Sequence, residues 1–246
     1  MFFSIVIPAR NEDESIKKTV LNLLQSLHEN SIYSEIIIVD DGSTDKTEEV
    51  VKHIITTNSS VRYIKNMPLH GFGLAVRKGL EVYRGDAVAI LMADGSDSAE
   101  DVVRCYKKLK EGYDCVFGSR FIKGSKVKNY PVIKLILNRI ANYSIKILFA
   151  LKTNDVTNGF KCYRRKVIEG IKPILSVHFN LTVELPLKAI VRKYSYAVIP
   201  ISWHGREKGM AKFRIKEMGS RYVFIILYAL LEKWLSKGDY IQRENN

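Results

Sequence analysis

The sequence predicts an α/β fold, a doubly wound and mostly parallel sheet flanked by helices. Three observations carry that expectation. Short apolar runs end in polar, turn-forming clusters, apolar residues at helical spacing fill the intervals, and the alternation persists to about residue 118.

Phe3 to Ile7 is a continuous apolar run that meets Pro8, as a strand buried on both faces would be. Asp13 to His28 then places Ile16, Val20, Leu23, Leu24 and Leu27 on one helical face. Glu35 to Val39 repeats the apolar run before Asp40-Asp41-Gly42, and a second helix is expected from Thr44 to about Ile55. Together these make a βαβ unit. Val61 to Ile64, Ala87 to Leu91 and Cys115 to Phe117 read as further strands, with helices near Leu74 to Tyr83 and Ala99 to Lys110.

The character changes after Gly118. From Val116 to Asn154 there is no acidic residue, while Arg120, Lys123, Lys126, Lys128, Lys134, Arg139, Lys146 and Lys152 supply eight positive charges. Within that stretch Val132 to Leu151 reads as a helix with Ile133, Ile136, Leu137, Ile140, Ile147, Leu148 and Leu151 on one stripe and Lys134, Asn138 and Asn142 on another. Such a helix either packs on the core or lies in a membrane interface. The segment from Ile215 to Leu235 offers the same two readings, with Arg221 inside it and Lys233 and Trp234 near its end. Its uncharged apolar run, Tyr222 to Leu231, is ten residues, half of the roughly 20 that a spanning helix needs. No transmembrane segment and no secretory signal are expected.

The 246 residues are 46% apolar and 26% charged, which excludes disorder and collagen-like repeats. Lys and Arg number 39 against 26 Asp and Glu, and the resulting +13 favours an anionic partner. Cys105, Cys115 and Cys162 are an odd count without a CxxC pair, which argues against a disulfide framework or a structural zinc.

Three strand ends carry polar clusters: Pro8-Ala9-Arg10-Asn11-Glu12, Asp40-Asp41-Gly42-Ser43-Thr44-Asp45 and Met92-Ala93-Asp94-Gly95-Ser96-Asp97. Any one of them serves equally as a turn and helix cap. Three on one edge of an open parallel sheet point to a ligand crevice. Gly71-Phe72-Gly73 is not a dinucleotide fingerprint, because the next glycine is Gly79 and the segment follows the third strand rather than the first. Its glycines are expected to allow close helix packing.

Ile5 to Glu12 and Val39 to Asp45 resemble the opening of the family 2 glycosyltransferases, whose catalytic domain is the Rossmann-like GT-A fold. Gly71 to Ala75, Gly118-Ser119-Arg120-Phe121, Asn158-Gly159-Phe160-Lys161, Glu184-Leu185 and Arg206 to Lys212 then resemble, in order, the dolichol-phosphate mannosyltransferase subgroup. The resemblance implies inverting transfer of a hexose, mannose by default, from a GDP- or UDP-sugar to a polyprenyl phosphate, dolichyl or undecaprenyl. The expected site is peripheral, on the cytosolic face of an anionic membrane surface. It implies a nucleotide site at Pro8, Arg10, Glu12, Ile38, Asp40 and Ala93, where Arg10 stands in place of a tyrosine. It also implies Mg²⁺ or Mn²⁺ at Asp94 and Ser96, with Met92 replacing one carboxylate of the family motif and Asp97 close by. Hard oxygen ligands and a diphosphate suit either ion.

On the acceptor side the resemblance implicates Arg120, Lys134 and Asn138, and on a closing segment Arg206 and Lys212. Asp94, Arg120, Arg206 and Lys212 are the residues expected to carry the chemistry. An ionised phosphate needs cations rather than a general base. A sugar hydroxyl acceptor would need a base, and Glu184 is the candidate. A nucleic-acid-binding module is the reading from another class, since Phe121, Tyr130 and Tyr143 lie among the cations, but the strand-end carboxylates would repel a phosphate backbone, so no nucleic acid partner is expected. The expected organisation is a nucleotide-sugar half over 1–118, an acceptor half over 119–214 and a C-terminal amphipathic helix and tail over 215–246.

Overall fold

Residues 1–205, 215–236 and 238–241 are described by the computed structural model of the chain, without the side chains of 215–218. Arg206 and Lys212 lie outside the described residues.

In chain order the elements are β1 (Phe3–Ala9), α1 (Ile16–Glu29), β2 (Ser34–Asp40), α2 (Thr47–Thr57), β3 (Val61–Lys65), α3 (Phe72–Val82), β4 (Ala87–Ile90), α4 (Ala99–Lys110) and β5 (Cys115–Ser119). There follow β6 (Lys126–Lys128), α5 (Val132–Phe149), β7 (Lys161–Arg164), α6 (Arg165–Gly170), α7 (Leu181–Val191), β8 (Tyr196–Pro200), β9 (Ser202–His204) and α8 (Ile215–Leu235). Seven strands form one sheet in the order β3-β2-β1-β4-β7-β5-β8, and β6 pairs with β9 in a small second sheet. All neighbours in the large sheet are parallel except β7, which runs antiparallel to both β4 and β5. The chain winds from β1 to β2 and β3 on one side and places β4 on the other, so the order reverses beside β1, where open α/β sheets bind ligands.

Local chemistry shifts several expected boundaries. Asp45 accepts from the main-chain N–H and the hydroxyl of Thr47, so 44–46 form a turn and α2 begins later than Thr44. Ser15 N and Ile16 N both donate to Glu12 O, so residues 13–15 likewise turn before α1. β1 continues through Pro8, which lies beyond the last pair with β4, Val6 with Ile90, where a missing N–H costs no ladder bond. The strand β7 and the helix α7 had no counterpart in the sequence reading.

Each face of the sheet carries a core. One face packs Ile5, Ile7, Ile36 and Ile38 under Val20, Leu23, Val51, Val102 and Leu109 of α1, α2 and α4. The other packs Val6, Ile37, Val39, Val88 and Phe117 under Val76, Leu80, Val167, Leu181 and Leu185 of α3, α6 and α7. A third cluster docks α5 and α8 on α7 through Ile145, Phe149, Val183, Leu187, Ile225 and Ala229.

The helix α5 is turned in an unusual sense. Asn142 is fully buried, while Ile133 is 75% and Ile147 79% exposed. Val132, Ile136, Leu137, Ile140 and Leu148 are exposed too, as are Val223, Phe224, Leu227, Leu231, Trp234 and Leu235 of α8. The core reading therefore fails for the apolar stripe of α5, except at Leu151, just past the helix end, which is buried. No described helix is long and apolar enough to cross a membrane.

Candidate active site at the carboxyl edge of the sheet

The loops after β1 and β2 are laced together. Asn11, in the left-handed region at φ 52°, accepts from Thr44 N at 2.8 Å, and its own N–H donates to Ser43 Oγ at 3.0 Å. Glu12 N donates to Thr47 Oγ1 and Asp13 N to Asp45. Parallel register sets Ala9 beside Asp40, so the segment from Arg10 to Glu12 leaves the sheet at the same edge as that carboxylate. Asp40 is buried and accepts from Ser43 N at 2.8 Å and from Tyr63 OH at 2.6 Å. Burial and the Asp40 charge hold the Tyr63 hydroxyl above its usual pKa. Arg10 is exposed, and Glu12 accepts from Ser15 Oγ at 3.0 Å.

Ile38 is wholly enclosed among core side chains, so its side chain supports the site from below. Ala93 is also buried, and its carbonyl accepts from Thr19 Oγ1 at 3.0 Å.

The next carboxylate, Asp41, holds the 66–71 loop. It accepts from Asn66 Nδ2 at 2.8 Å and Gly71 N at 3.1 Å, with His70 Nδ1 3.4 Å away. Gly71 and Gly73 serve an approach of backbone, not of another helix. A Cβ at Gly71 would stand 2.4 Å from Val177 O, and one at Gly73 would stand 2.6 Å from Ser176 O.

After β4, Asp94 accepts from Ser96 N at 3.0 Å and Asp97 from Met92 N at 3.1 Å. Ser96 is buried and its carbonyl accepts from His204 N, which fastens this turn to β9. Burial first, and then the negative charge of Asp94, push the Asp97 carboxyl up to about 7. Concentrated negative charge with hard oxygen donors fits a divalent cation. Among the described residues no group of three His, Cys, Asp or Glu could hold a metal, so these residues fit an ion that shares its ligand shell with a diphosphate.

On the other side of the site, Arg120 is 8% exposed and donates to Asp155 from Nε and Nη2 at 2.8 Å each. Burial pulls the guanidinium ionisation down, and Asp155 outweighs it, raising the pKa above the usual value. Phe121, Tyr130 and Trp203 stand around this guanidinium with ring centroids 5.4 to 5.6 Å away. Asn138 Nδ2 and Asn142 Nδ2 both donate to Thr157 Oγ1 at 2.8 Å, and Arg139 donates to Asn154 O. Arg120 and Asn138 are thus brought to one loop, 154–157, through Asp155 and Thr157. Lys134, half-buried, sits one turn before Asn138 on α5.

Glu184 is not placed as a base. It is buried, accepts from Leu175 N and Ser176 N at 2.7 Å each, and pairs with Lys188 at 2.8 Å. The sequence reading missed Asp155, Thr157 and Arg139. The Asn138 and Asn142 stripe was the available signal, since its spacing of four puts both amides on one helix face.

A family model described as glycosyl transferase family 2 matches residues 4–172. The chain is 29% identical over 233 residues to a polyprenol monophosphomannose synthase of Mycolicibacterium smegmatis, covering 88% of this chain and 86% of that protein. It is 28% identical over 248 residues to a dolichol-phosphate mannosyltransferase of Pyrococcus furiosus, covering 98% of this chain and 66% of the relative's length. Its fold is similar to glucosyl-3-phosphoglycerate synthase of Mycobacterium tuberculosis in complex with Mn²⁺, uridine diphosphate and glucosyl-3-phosphoglycerate. The TM-score there is 0.66 and the identity 18%, over 94% of this chain and 79% of that one.

Proposed function

The chain belongs to glycosyl transferase family 2, and from that premise we propose that it moves a hexose, mannose by default, from a GDP- or UDP-sugar to a polyprenyl phosphate at the cytosolic face of a membrane. Its class, a glycosyltransferase of GT-A fold, follows from the family and the sheet. The donor and acceptor are our reading, supported by the names of the two curated relatives.

The observation that carries the reading is the orientation of α5. Its amides and Arg139 turn inward to the loop that grips Arg120, and Ile133, Ile136, Ile140 and Ile147 face outward. A helix of that sense joins an apolar ligand or surface on one side to a cationic cradle on the other, as a lipid phosphate requires. The acid-free, basic stretch around it suits anionic headgroups. In this reading residues 1–118 hold the donor, 119–214 the acceptor, and 215–246 help seat the protein on the membrane.

The chemistry follows from these groups. Glu12 and Asp40 accept from base or ribose donors and orient the nucleotide. Arg120, Lys134 and Asn138 hold the acceptor phosphate so that one ionised oxygen faces the anomeric carbon. That oxygen forms the new C–O bond as the bond to the nucleoside diphosphate breaks on the opposite face, which inverts the centre. Asp94 and Ser96 would hold Mg²⁺ or Mn²⁺, which when bound neutralises charge on the departing diphosphate. Arg206 and Lys212, assigned from the sequence, would add to that neutralisation. No proton has to be removed from the acceptor, which agrees with Glu184 being occupied by Leu175, Ser176 and Lys188.

The test is incubation with a panel of GDP- and UDP-sugars, Mn²⁺ and a polyprenyl phosphate, with the lipid product identified by mass. A hexosyl phosphoryl lipid is the expected product. Transfer only to sugar hydroxyls would overturn the acceptor assignment.

A further inference from the structure

Thr157 stands where two arms of the acceptor cradle meet. Toward β5, Asp155 grips Arg120, and Asn158 Nδ2 donates to Gly118 O at 3.1 Å. Toward α5, Thr157 N donates to Asn142 Oδ1 at 3.1 Å, and Thr157 Oγ1 accepts from Asn138 Nδ2 and Asn142 Nδ2 at 2.8 Å each.

These bonds fix the direction of the Thr157 hydroxyl. The main-chain donor at Thr157 identifies which end of the Asn142 amide is oxygen, so the other end is the N–H₂ that faces Thr157 Oγ1. The same Nδ2 lies 3.0 Å from Asn138 Oδ1, which orients the Asn138 amide in turn. Both side chains against the Thr157 hydroxyl therefore present N–H groups, and neither can accept. A hydroxyl oxygen has two lone pairs and one proton. With both lone pairs taken, the proton must point away from the amides, and it reaches no acceptor among the described residues. Thr157 is half-buried rather than enclosed, so a ligand can supply the acceptor that the fold does not.

Asn138 has the same polarity. Its Oδ1 is taken by Asn142 and one hydrogen of its Nδ2 by Thr157, so what it has left to offer is a second N–H. The carboxylate on this loop, Asp155, is occupied by Arg120 through both oxygens. From Val116 to Asn154 the chain carries no other negative side chain, and Lys134 lies one turn before Asn138. Two neighbouring groups with only hydrogens to give, set among cations, match an ionised oxygen, which accepts and brings no proton that needs a partner.

We propose that the Thr157 hydroxyl donates to a non-bridging oxygen of the acceptor phosphate, beside the free N–H of Asn138. This rests on the acceptor reading made above and adds a contact to it. Arg120 supplies charge, and Thr157 supplies direction, because a second fixed donor stops the phosphate from turning about the guanidinium.

Calorimetric titration of the full chain with farnesyl phosphate, and in parallel with GDP and Mn²⁺, tests the contact. Thr157→Val keeps the shape and removes the hydroxyl, and it is expected to bind farnesyl phosphate at least about tenfold more weakly, the loss typical of a hydrogen bond to a charged group. GDP binding should stay within about twofold, and Thr157→Ser should restore phosphate binding to within about threefold of wild type. A role exercised only through Asn138 is separated by a double-mutant cycle. In the Asn138→Ala background a direct donor still costs about fivefold or more on Thr157→Val, whereas a residue that merely orients Asn138 costs nothing further. If Thr157→Val fails to fold, Thr157→Cys fills similar space with a weak donor and should show the same phosphate-specific loss. A loss that vanishes in the Asn138→Ala background, or one shared equally by GDP, overturns the proposal. Wild type that binds GDP but not farnesyl phosphate overturns the acceptor reading and this contact with it. Wild type that binds both, with binding unchanged in Thr157→Val, overturns the contact alone.

Discussion

Asp155 grips Arg120 through two parallel hydrogen bonds of 2.8 Å, and its Oδ2 also accepts from the Arg120 main-chain N–H at 2.9 Å. The arginine is thereby fixed in direction before any ligand arrives, and the surrounding rings keep water from its faces. Pre-organisation of this kind suits a cation that positions an anion, since little side-chain entropy remains to be lost on binding. Arg139 also stands over Phe121, 4.2 Å from its centroid, which ties the cradle to α5.

Removing the carboxylate while keeping the guanidinium should be costly. Asp155→Ala leaves a buried charge without its partner, and a loss of about 3–5 kcal/mol is expected. Urea unfolding at pH 7 measures it. A loss below about 1 kcal/mol would mean that water reaches Arg120 and that the pair is not a dry one.

Glu184→Gln separates positioning from base catalysis. A Gln amide presents an N–H₂ to one of two main-chain donors and leaves Lys188 unneutralised, so stability falls and the 175–176 segment loosens. Because that segment closes on Gly71, whose N–H is held by Asp41 after β2, the donor KM should rise while kcat at saturation stays within about tenfold. Steady-state kinetics at several donor concentrations distinguish the two. A drop in kcat of about a thousandfold with intact folding would identify a base.

Why these residues escaped the sequence reading is physical. The helix α7 is buried from Leu181 through Ala189, so no polar face gives it a period, and Pro186, Glu184 and Lys188 read as surface or breaker residues. Only the partners of Glu184 and Lys188, nine and fifteen positions away, allow their burial. The strand β7 is four residues with Lys161 buried inside it, and its antiparallel insertion between β4 and β5 depends on long-range pairing. The parallel half was legible because each strand there is a plain apolar run and each loop a polar cluster. Of the site, the strand-end carboxylates were legible as local motifs. Asp155 and Thr157 were not, because their meaning comes from what they face.

Metal binding should depend on the nucleotide. Asp94 has one carboxylate neighbour whose ionisation is suppressed, and no third acidic or imidazole ligand converges among the described residues. Mn²⁺ titration followed by electron paramagnetic resonance should show weak binding to the protein alone and at least tenfold tighter binding with GDP or UDP present. Asp94→Ala should remove the enhancement. Tight stoichiometric Mn²⁺ binding without nucleotide would contradict this ligand count.

Lys161 should make stability depend on pH. Burial brings its ammonium down to about 7 from an ordinary value of 10.5. Below about pH 7 the native chain carries the full cost of a buried charge. Between pH 7 and about 10 the unfolded chain retains a proton that the native chain has released, so this group's contribution to stability rises with pH. Lys161→Met should be more stable than wild type at pH 6, with the gap closing by up to about 1.4 kcal/mol per unit above pH 7. Cys105 and Cys115, whose thiols burial holds above their usual values, titrate alike in both proteins, and Asp97, whose charge acts on Lys161 and whose carboxyl is pushed up to about 7, is replaced by Asn in both so that the difference isolates Lys161. Urea midpoints at pH 6, 7, 8 and 9 check it, and a constant gap would show that Lys161 stays charged throughout.

Membrane association should have two separable parts. Cations of the basic stretch act on anionic headgroups with about 1 kcal/mol each and are screened by salt, whereas apolar surface entering the acyl boundary is not. Ile136, Ile140 and Ile147 are each more than half exposed on α5, so their loss removes no core contact of the kind that Ile145 and Phe149 make. Sedimentation with anionic vesicles should therefore show that 1 M NaCl releases only part of the wild-type protein. Replacing all three isoleucines with serine should leave the thermal midpoint within a few degrees of wild type and make the remaining binding fully salt-sensitive. If the triple variant unfolds instead, α5 packs against something in solution that covers those isoleucines. If wild type ignores anionic vesicles even at low salt, the apolar faces of α5 and α8 do not meet a membrane, and the acceptor must reach Arg120 from solution.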